Sequence, residues 1–370
     1  MSKNALLSVP LKWLVIGLVI CWLVIIVGYF THLRQEQRHN PQLPELSVRA
    51  PDRPGNAPEG LTLPNDLAFH QSSANEIWQM YAVLNDKQGH SYRFQWQFLQ
   101  VNLATPAHTG WQNEQRYYAQ ATMVSLQKSW MASRIARGGF GQAGTSSRPM
   151  KLWIDDWQLN TYRDSNAAKL KVRGSDFAVN LDIEQQTPGW LKFGQNGLWR
   201  IKSRPDAWFY NLSAPRNQIS GVITLDGVPV PVSGRAWVDH VWGSQLYHLA
   251  DQDWQWLRLR LDDDRYLSVW RYHNDQQLPT TTASLVDADG NVDYLTPNEV
   301  SLDPVASDEI TEHTHKSLKW KLSIPKYSIY LTTQPVQLGD KVAEQSTMWQ
   351  GQVYAYGTQG GSGFFQILSK

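Results

Sequence analysis

Apolar residues in this chain recur mainly with the two-residue period of β-strands. Tyr92, Phe94, Trp96 and Phe98 alternate with Arg93, Gln95 and Gln97, as expected of a strand that buries one face. The apolar run Trp78 to Leu84 precedes it, and Asn85-Asp86-Lys87-Gln88-Gly89 joins the two into a predicted hairpin. A second predicted hairpin spans Trp254 to Tyr272. There Leu257, Leu259 and Leu261 alternate with Arg258 and Arg260, and an Asp262-Asp263-Asp264 turn leads back through Tyr266. The hairpins share residues as well as pattern: Trp78-Gln79 recurs as Trp254-Gln255, and Tyr92 and Trp96 recur as Tyr266 and Trp270. This weak repeat points to two related β units, divided near residues 225–235, where Asp226-Gly227, Pro229 and Pro231 interrupt the pattern. No long amphipathic helix is legible in this part of the chain, so an antiparallel barrel or sandwich is expected.

Ahead of the β-rich part, residues 13–31 read WLVIGLVICWLVIIVGYFT without a charged side chain. Crossing about 30 Å of hydrocarbon takes roughly 20 apolar residues, so the run predicts one transmembrane helix. Gly28, Tyr29 and Phe30 suit a membrane interface better than a signal-peptidase site, which favours a retained anchor. Lys3 and Lys12 before the run and Arg34 and Arg38 after it give little charge asymmetry. Orientation is therefore read from domain size. The large C-terminal body is expected in the periplasm or another extracytoplasmic space, anchored in the inner membrane. Pro41, Pro44, Pro51, Pro54 and Pro58 keep the following stretch extended. The expected organisation is an arm and anchor over 1–34, a Pro-rich linker over 35–60, and domains over 61–228 and 229–370.

Net charge is +1, which lacks the basic footprint of a nucleic-acid binder. The 18 tryptophans and 15 tyrosines change the picture more. Each buried indole brings apolar area and an N–H that needs a partner. Two uses compete: cross-strand packing in a sheet core, or the lining of an aromatic ligand cavity. Cys21 is the single cysteine, so no intramolecular disulfide is available.

The densest cluster of chemical groups is Gly234-Arg235-Ala236-Trp237-Val238-Asp239-His240-Val241-Trp242-Gly243-Ser244, followed by Trp254 and Trp256. It resembles the G-x-A-W-x-D-H-E-W-G motif of the AttH-like and carotenoid 1,2-hydratase-like proteins. Other blocks match in the same order: Asp66 to His70 with Glu76-Ile77-Trp78, Tyr117 to Gly138, Trp208 to Ser213, and Met348-Trp349-Gln350-Gly351 with Gly363 to Leu368. The resemblance covers about residues 60–370 and implies a mainly β fold of two tandem lipocalin-like antiparallel β-barrels. Three family positions are changed. Val241 and Gln350 stand where the pattern has glutamates, and Ile77 replaces a tryptophan.

A hydratase needs an acid to protonate an alkene carbon and a base to help water attack. Asp239, His240 and Glu76 are the candidate groups, with Trp78, Tyr210, Trp237, Trp242, Trp254, Trp256 and Trp349 as candidate ligand-binding residues. The alternative for Asp239-His240 is a buried polar pair at the junction of the barrels. Neighbours on a strand face opposite ways, so both enter one pocket only if the strand bulges. No cofactor is expected. His313 and His315 are too few for a metal site, Gly138, Gly139, Gly141 and Gly144 lack a P-loop signature, and no G-x-S-x-G is present.

The first functional reading is a membrane-anchored extracytoplasmic protein that binds an apolar or lipid-like small molecule. An ABC-type transporter permease is its expected partner by family analogy. A hydratase or isomerase acting on a lipid or isoprenoid double bond is the second, and a structural accessory subunit the third.

Overall fold

The computed structural model describes residues 60–70, 73–102, 115–147, 149–161, 167–186, 189–201, 204–244, 253–273, 278–305, 319–336 and 348–368. The predicted anchor and nearly all of the predicted linker lie outside these residues. So do His313 and His315. Among the described residues, no helix is long and apolar enough to cross a membrane.

The described chain is mainly β, in two antiparallel sheets. The first sheet comprises β1 (Asn75–Asn85), β2 (Ser91–Val101), β3 (Arg116–Val124), β4 (Ser129–Arg137), β5 (Ala143–Ser147) and β6 (Met150–Ile154). It continues with β7 (Trp157–Thr161), β8 (Ala167–Arg173), β9 (Phe177–Gln185), β10 (Leu191–Ile201), β11 (Arg204–Leu225) and β12 (Val228–Gly243). Their order is β4-β3-β2-β1-β12-β11-β9-β8-β7-β6-β5, with β10 on β11. The second sheet holds β13 (Trp254–Leu261), β14 (Tyr266–His273), β15 (Pro279–Val286), β16 (Val292–Leu295) and β17 (Ser301–Pro304). It is completed by β18 (Trp320–Ile324), β19 (Ile329–Pro335), β20 (Met348–Gly357) and β21 (Gly361–Leu368), in the order β16-β15-β14-β13-β21-β20-β19-β18-β17. Each sheet curls until its ends approach, β3 and β4 against β6 and β15 against β17, which makes both barrel-like.

Both predicted hairpins form, with the same pairing. Met80 faces Trp96 across β1 and β2, and Trp256 faces Trp270 across β13 and β14. The faces they bury are opposite, however. Trp78, Met80 and Trp96 point into the first sheet's core, whereas Trp256 and Trp270 leave the second sheet's core to Leu257, Leu259 and Val269. Because side chains alternate strictly, one step of offset moves an entire aromatic set to the other side of a sheet. The divide expected at 228/229 falls instead at the tip of a hairpin. Asp226 and Gly227, both at positive φ, form the tight turn between β11 and β12, and β12 stays in the first sheet through Gly243.

The motif glycines have a packing reason. A Cβ on Gly234 would sit 1.9 Å from the Val83 carbonyl oxygen, and one on Gly243 would sit 2.2 Å from that of Trp208. The segment between them is thus clamped between β1 and β11, and every residue from Ala236 to Ser244 is buried.

One face of this segment meets the second sheet. Arg258 Nε lies 2.6 Å from Asp239 Oδ2, and both side chains are 0% exposed. The guanidinium also donates to Gln79 and Gln366, each at 3.1 Å, and lies over the Trp256 ring at 3.4 Å. Asp239 Oδ1 accepts from Trp237 Nε1 at 2.9 Å and from Ser213 Oγ. Aromatic packing flanks the pair, with Trp199, Phe209 and Val241 against Trp256, Trp270 and Tyr272. The alternation that puts Arg258 outside its own core therefore delivers it to the other sheet rather than to water.

Removing one partner of a buried ion pair strands the other charge, at a cost of about 3–5 kcal/mol. Arg258→Ala and Asp239→Ala are each expected to lose stability of that order in chemical denaturation. Their double variant is expected to lose clearly less than the sum.

Candidate functional site

The opposite face of β12 builds a second polar cluster, inside the first sheet. His240 is paired with Trp78 of β1 and Leu212 of β11, while Trp242 is paired with Glu76 and Tyr210. Paired residues share a face, and diagonal neighbours on adjacent strands come within reach of long side chains. Glu76 thus reaches His240, whose Nε2 stands 2.5 Å from Glu76 Oε1. A third group arrives from the segment before β1. His70 Nδ1 lies 3.3 Å from the same Oε1, and the His70 backbone N–H donates to Glu76 Oε2 at 2.8 Å. Asp66 Oδ1 lies 3.5 Å from His70 Nε2.

Aromatic rings hold both imidazoles. Trp78 stacks on His240 with centroids 3.8 Å apart, and Trp242 stacks on His70 at 4.0 Å with planes 5° from parallel. Tyr210 packs against Trp242 at 5.5 Å. Leu61 and Leu67 pack against Trp208, Tyr210, Leu212 and Trp242, so the segment carrying His70 is pinned by apolar contacts as well as by Glu76.

Burial pushes the Glu76 carboxyl up, but hydrogen bonds and charge from His240 and His70 outweigh it and hold the group below the ordinary carboxylate value. Burial draws His240 down to about 4 against the opposing pull of Glu76. At neutral pH the pair is a neutral imidazole donating Nε2–H to a carboxylate. His240 Nδ1 is then a buried acceptor without a hydrogen-bond partner among the described residues. Burial also raises the Tyr210 phenol, which stays protonated.

A cavity of about 610 Å³ adjoins the cluster, lined by Leu67, Trp78, Met80, Trp96, Trp190 and Val238 with a few polar groups such as Asn65 and Gln185. Trp78 is the shared wall, with one face toward His240. The indole N–H groups of Trp78 and Trp96 are buried without partners among the described residues. A larger groove of about 1150 Å³ lies along the seam and includes Tyr81, Trp237, Tyr266 and Phe364. Its Arg260 is already paired with Asp264, and Arg216 donates to the Asp264 carbonyl.

The AttH-like family profile matches residues 54–369. The chain belongs to the AttH-like family. A crystal structure of a protein assigned to AttH from Nitrosomonas europaea superposes with a TM-score of 0.70 at 23% identity, covering 86% of this chain and 99% of that one. Kievitone hydratase from Nectria haematococca superposes with a TM-score of 0.62 at 13% identity, covering 87% and 99%. Both likenesses are of fold, which is lipocalin-like. No curated protein sequence matches the chain.

Set against the family motif, the structure sorts the candidate residues by strand parity. Glu76, Trp78, His240, Trp242 and Tyr210 come together. Asp239 does not, since β12 runs without a bulge here and turns it to the seam with Trp237. Trp254 and Trp256 also face the seam. Trp349 lies on β20, paired with Ile367, and its side chain is outside the described residues. The changed family positions are seam positions too. Val241 packs with the seam aromatics, and Gln350 accepts from Gln366 beside Arg258. Their lost carboxylates therefore bear on the junction of the sheets and not on His240.

His70, Asp66, Trp190 and Arg258 were not among the sequence candidates. The Asp66-to-His70 spacing was the available signal, because a carboxylate four residues before an imidazole places the two within reach of one turn. Glu76 is the group that ties His70 and His240 together. Glu76→Ala is expected to cost about 1–3 kcal/mol, from the hydrogen-bonding groups left unsatisfied. It is also expected to accelerate amide exchange at His70 and through residues 60–70, read by hydrogen–deuterium exchange with mass spectrometry.

Proposed function

We propose that this protein binds an apolar, lipid-like small molecule inside its first barrel. The observation that carries this reading is the 610 Å³ cavity walled by Trp78, Trp96 and Trp190. Apolar walls with a few polar groups are the usual composition of a small-molecule site. The apolar segment 13–31 would hold this body at the membrane on the extracytoplasmic side, beside lipophilic ligands and an ABC-type permease.

A second reading is favoured by the His70–Glu76–His240 cluster directly behind Trp78. Imidazole and carboxylate groups beside an apolar site are the means of proton transfer to and from a double bond, and kievitone hydratase, whose own name states a hydration, shares the fold. In this reading the bound molecule is a substrate to which water is added, and rotation of Trp78 opens the way to His240.

Purified protein is expected to retain a lipophile detectable by mass spectrometry after organic extraction. Narrowing the cavity with Leu159→Trp is expected to reduce that retention at least tenfold while the far-ultraviolet circular dichroism is unchanged. Equal retention by the parent and the filled variant, or no lipophile in either, would overturn the binding reading. A product heavier by one water after incubation with the extracted molecule, lost in His240→Gln, would establish the hydratase reading over simple carriage.

A further inference from the structure

We infer that His70, Glu76 and His240 form a binding site for a divalent transition metal, of the type that takes Zn2+. This goes beyond the ligand reading above and stands without it.

Three separate parts of the chain converge here: the segment before β1, β1 itself and β12. Each contributes one metal-ligating atom, and these atoms all lie within 4.8 Å of one another. Two imidazoles and one carboxylate are a familiar donor set for zinc, with a fourth position left for water or a ligand. Oxygen-only cations such as Ca2+ and Mg2+ are a poor match for two nitrogens.

The surroundings are also those of a metal site. A ligating histidine usually gives its other ring N–H to a carboxylate, which fixes its tautomer. Asp66 stands in that position behind His70, 3.5 Å from Nε2 while Nδ1 faces Glu76. Glu76 Oε2 is taken by the His70 backbone N–H, leaving Oε1 as the oxygen that faces both imidazoles. Trp78 and Trp242 restrain the two rings by stacking. The carboxylate is 2% exposed, and among the described residues its ion-pairing neighbours are these two imidazoles. A buried carboxylate calls for charge compensation, which a divalent ion supplies. His70, 18% exposed, gives an ion a route in from solvent.

Donor atoms about 2.0–2.2 Å from a tetrahedral ion stand roughly 3.3 Å apart. His70 Nδ1 and Glu76 Oε1 already have this separation, 3.3 Å. His240 Nε2, at 2.5 Å from Oε1, must withdraw by less than about 1 Å. Its ring proton then moves from Nε2 to Nδ1, the nitrogen without a hydrogen-bond partner among the described residues. That shift leaves the proton count unchanged.

The test uses full-length protein purified in detergent, stripped with a chelator, and reloaded by dialysis against Zn2+ or Co2+. About one ion per chain is expected by elemental analysis, with the visible absorption of four-coordinate Co2+. His70→Gln, at the edge of the fold, is expected to weaken Zn2+ binding more than about 100-fold, beyond the 10–100-fold lost with a group that only orients a ligand. Asp66→Asn is expected to weaken it about 10–100-fold. His90→Gln, which removes an exposed imidazole paired with Asp86, should leave binding as it was. Should His240→Gln fail to fold, His70→Gln decides the question alone. Reloaded protein with less than a tenth of an ion per chain would overturn the inference, as would equal stoichiometry and affinity in the parent and His70→Gln.

Discussion

The strand from Ala236 to Ser244 is buried on both faces, and the rest of the molecule is arranged around that constraint. A strand presents successive side chains to opposite sides, so a sequence that places Asp239 next to His240 must supply two separate polar environments. The first sheet provides one in Glu76, His70 and the two indoles that stack on the imidazoles. The other is made by Arg258 and Gln366 of the second sheet together with Gln79 of β1. Neither polar side chain is left to water, and neither environment serves both residues. Gly234 and Gly243 make the arrangement sterically available by letting β1 and β11 close on the strand from either side.

This division gives the motif two meanings. Its odd positions, Trp237, Asp239 and Val241, join the barrels, and its even positions, Val238, His240 and Trp242, face the first barrel's interior. A substitution at an odd position acts on the junction of the sheets, whereas one at an even position acts on the cluster and its cavity. The replacement of glutamate by Val241 falls in the first group. It places an apolar side chain against Trp256 and Trp270 at the seam, without subtracting from the imidazole–carboxylate cluster.

Much of this was legible in the sequence. The period-2 runs gave both hairpins with their turns, the ordered motif blocks gave the family and its lipocalin-like fold, and strand parity alone warned that Asp239 and His240 do not share a pocket. What was not legible depended on contacts between elements far apart in the chain. Arg258 alternates with leucines exactly as an exposed arginine would, and only the approach of a second sheet makes it a buried partner of Asp239. His70 lies in a segment without regular strand pattern, so its place over Glu76 follows from the docking of Leu61 and Leu67 on Trp208, Tyr210, Leu212 and Trp242. Asp226-Gly227 has the composition of a domain break and of a tight hairpin turn alike, and the long pairing of β11 with β12 selects the turn.

The separation of the two faces is tested most directly by the titration of His240, followed through its imidazole nitrogen shifts by NMR in histidine-labelled, metal-free protein. Burial, against the opposing pull of Glu76, calls for a neutral ring down to about pH 4, and the hydrogen bond to Glu76 places its proton on Nε2. Replacing Arg258 across the seam should leave that curve in place. A midpoint near the ordinary 6.5, or one that moves with the charge at Arg258, would contradict the division of β12 into a junction face and a site face.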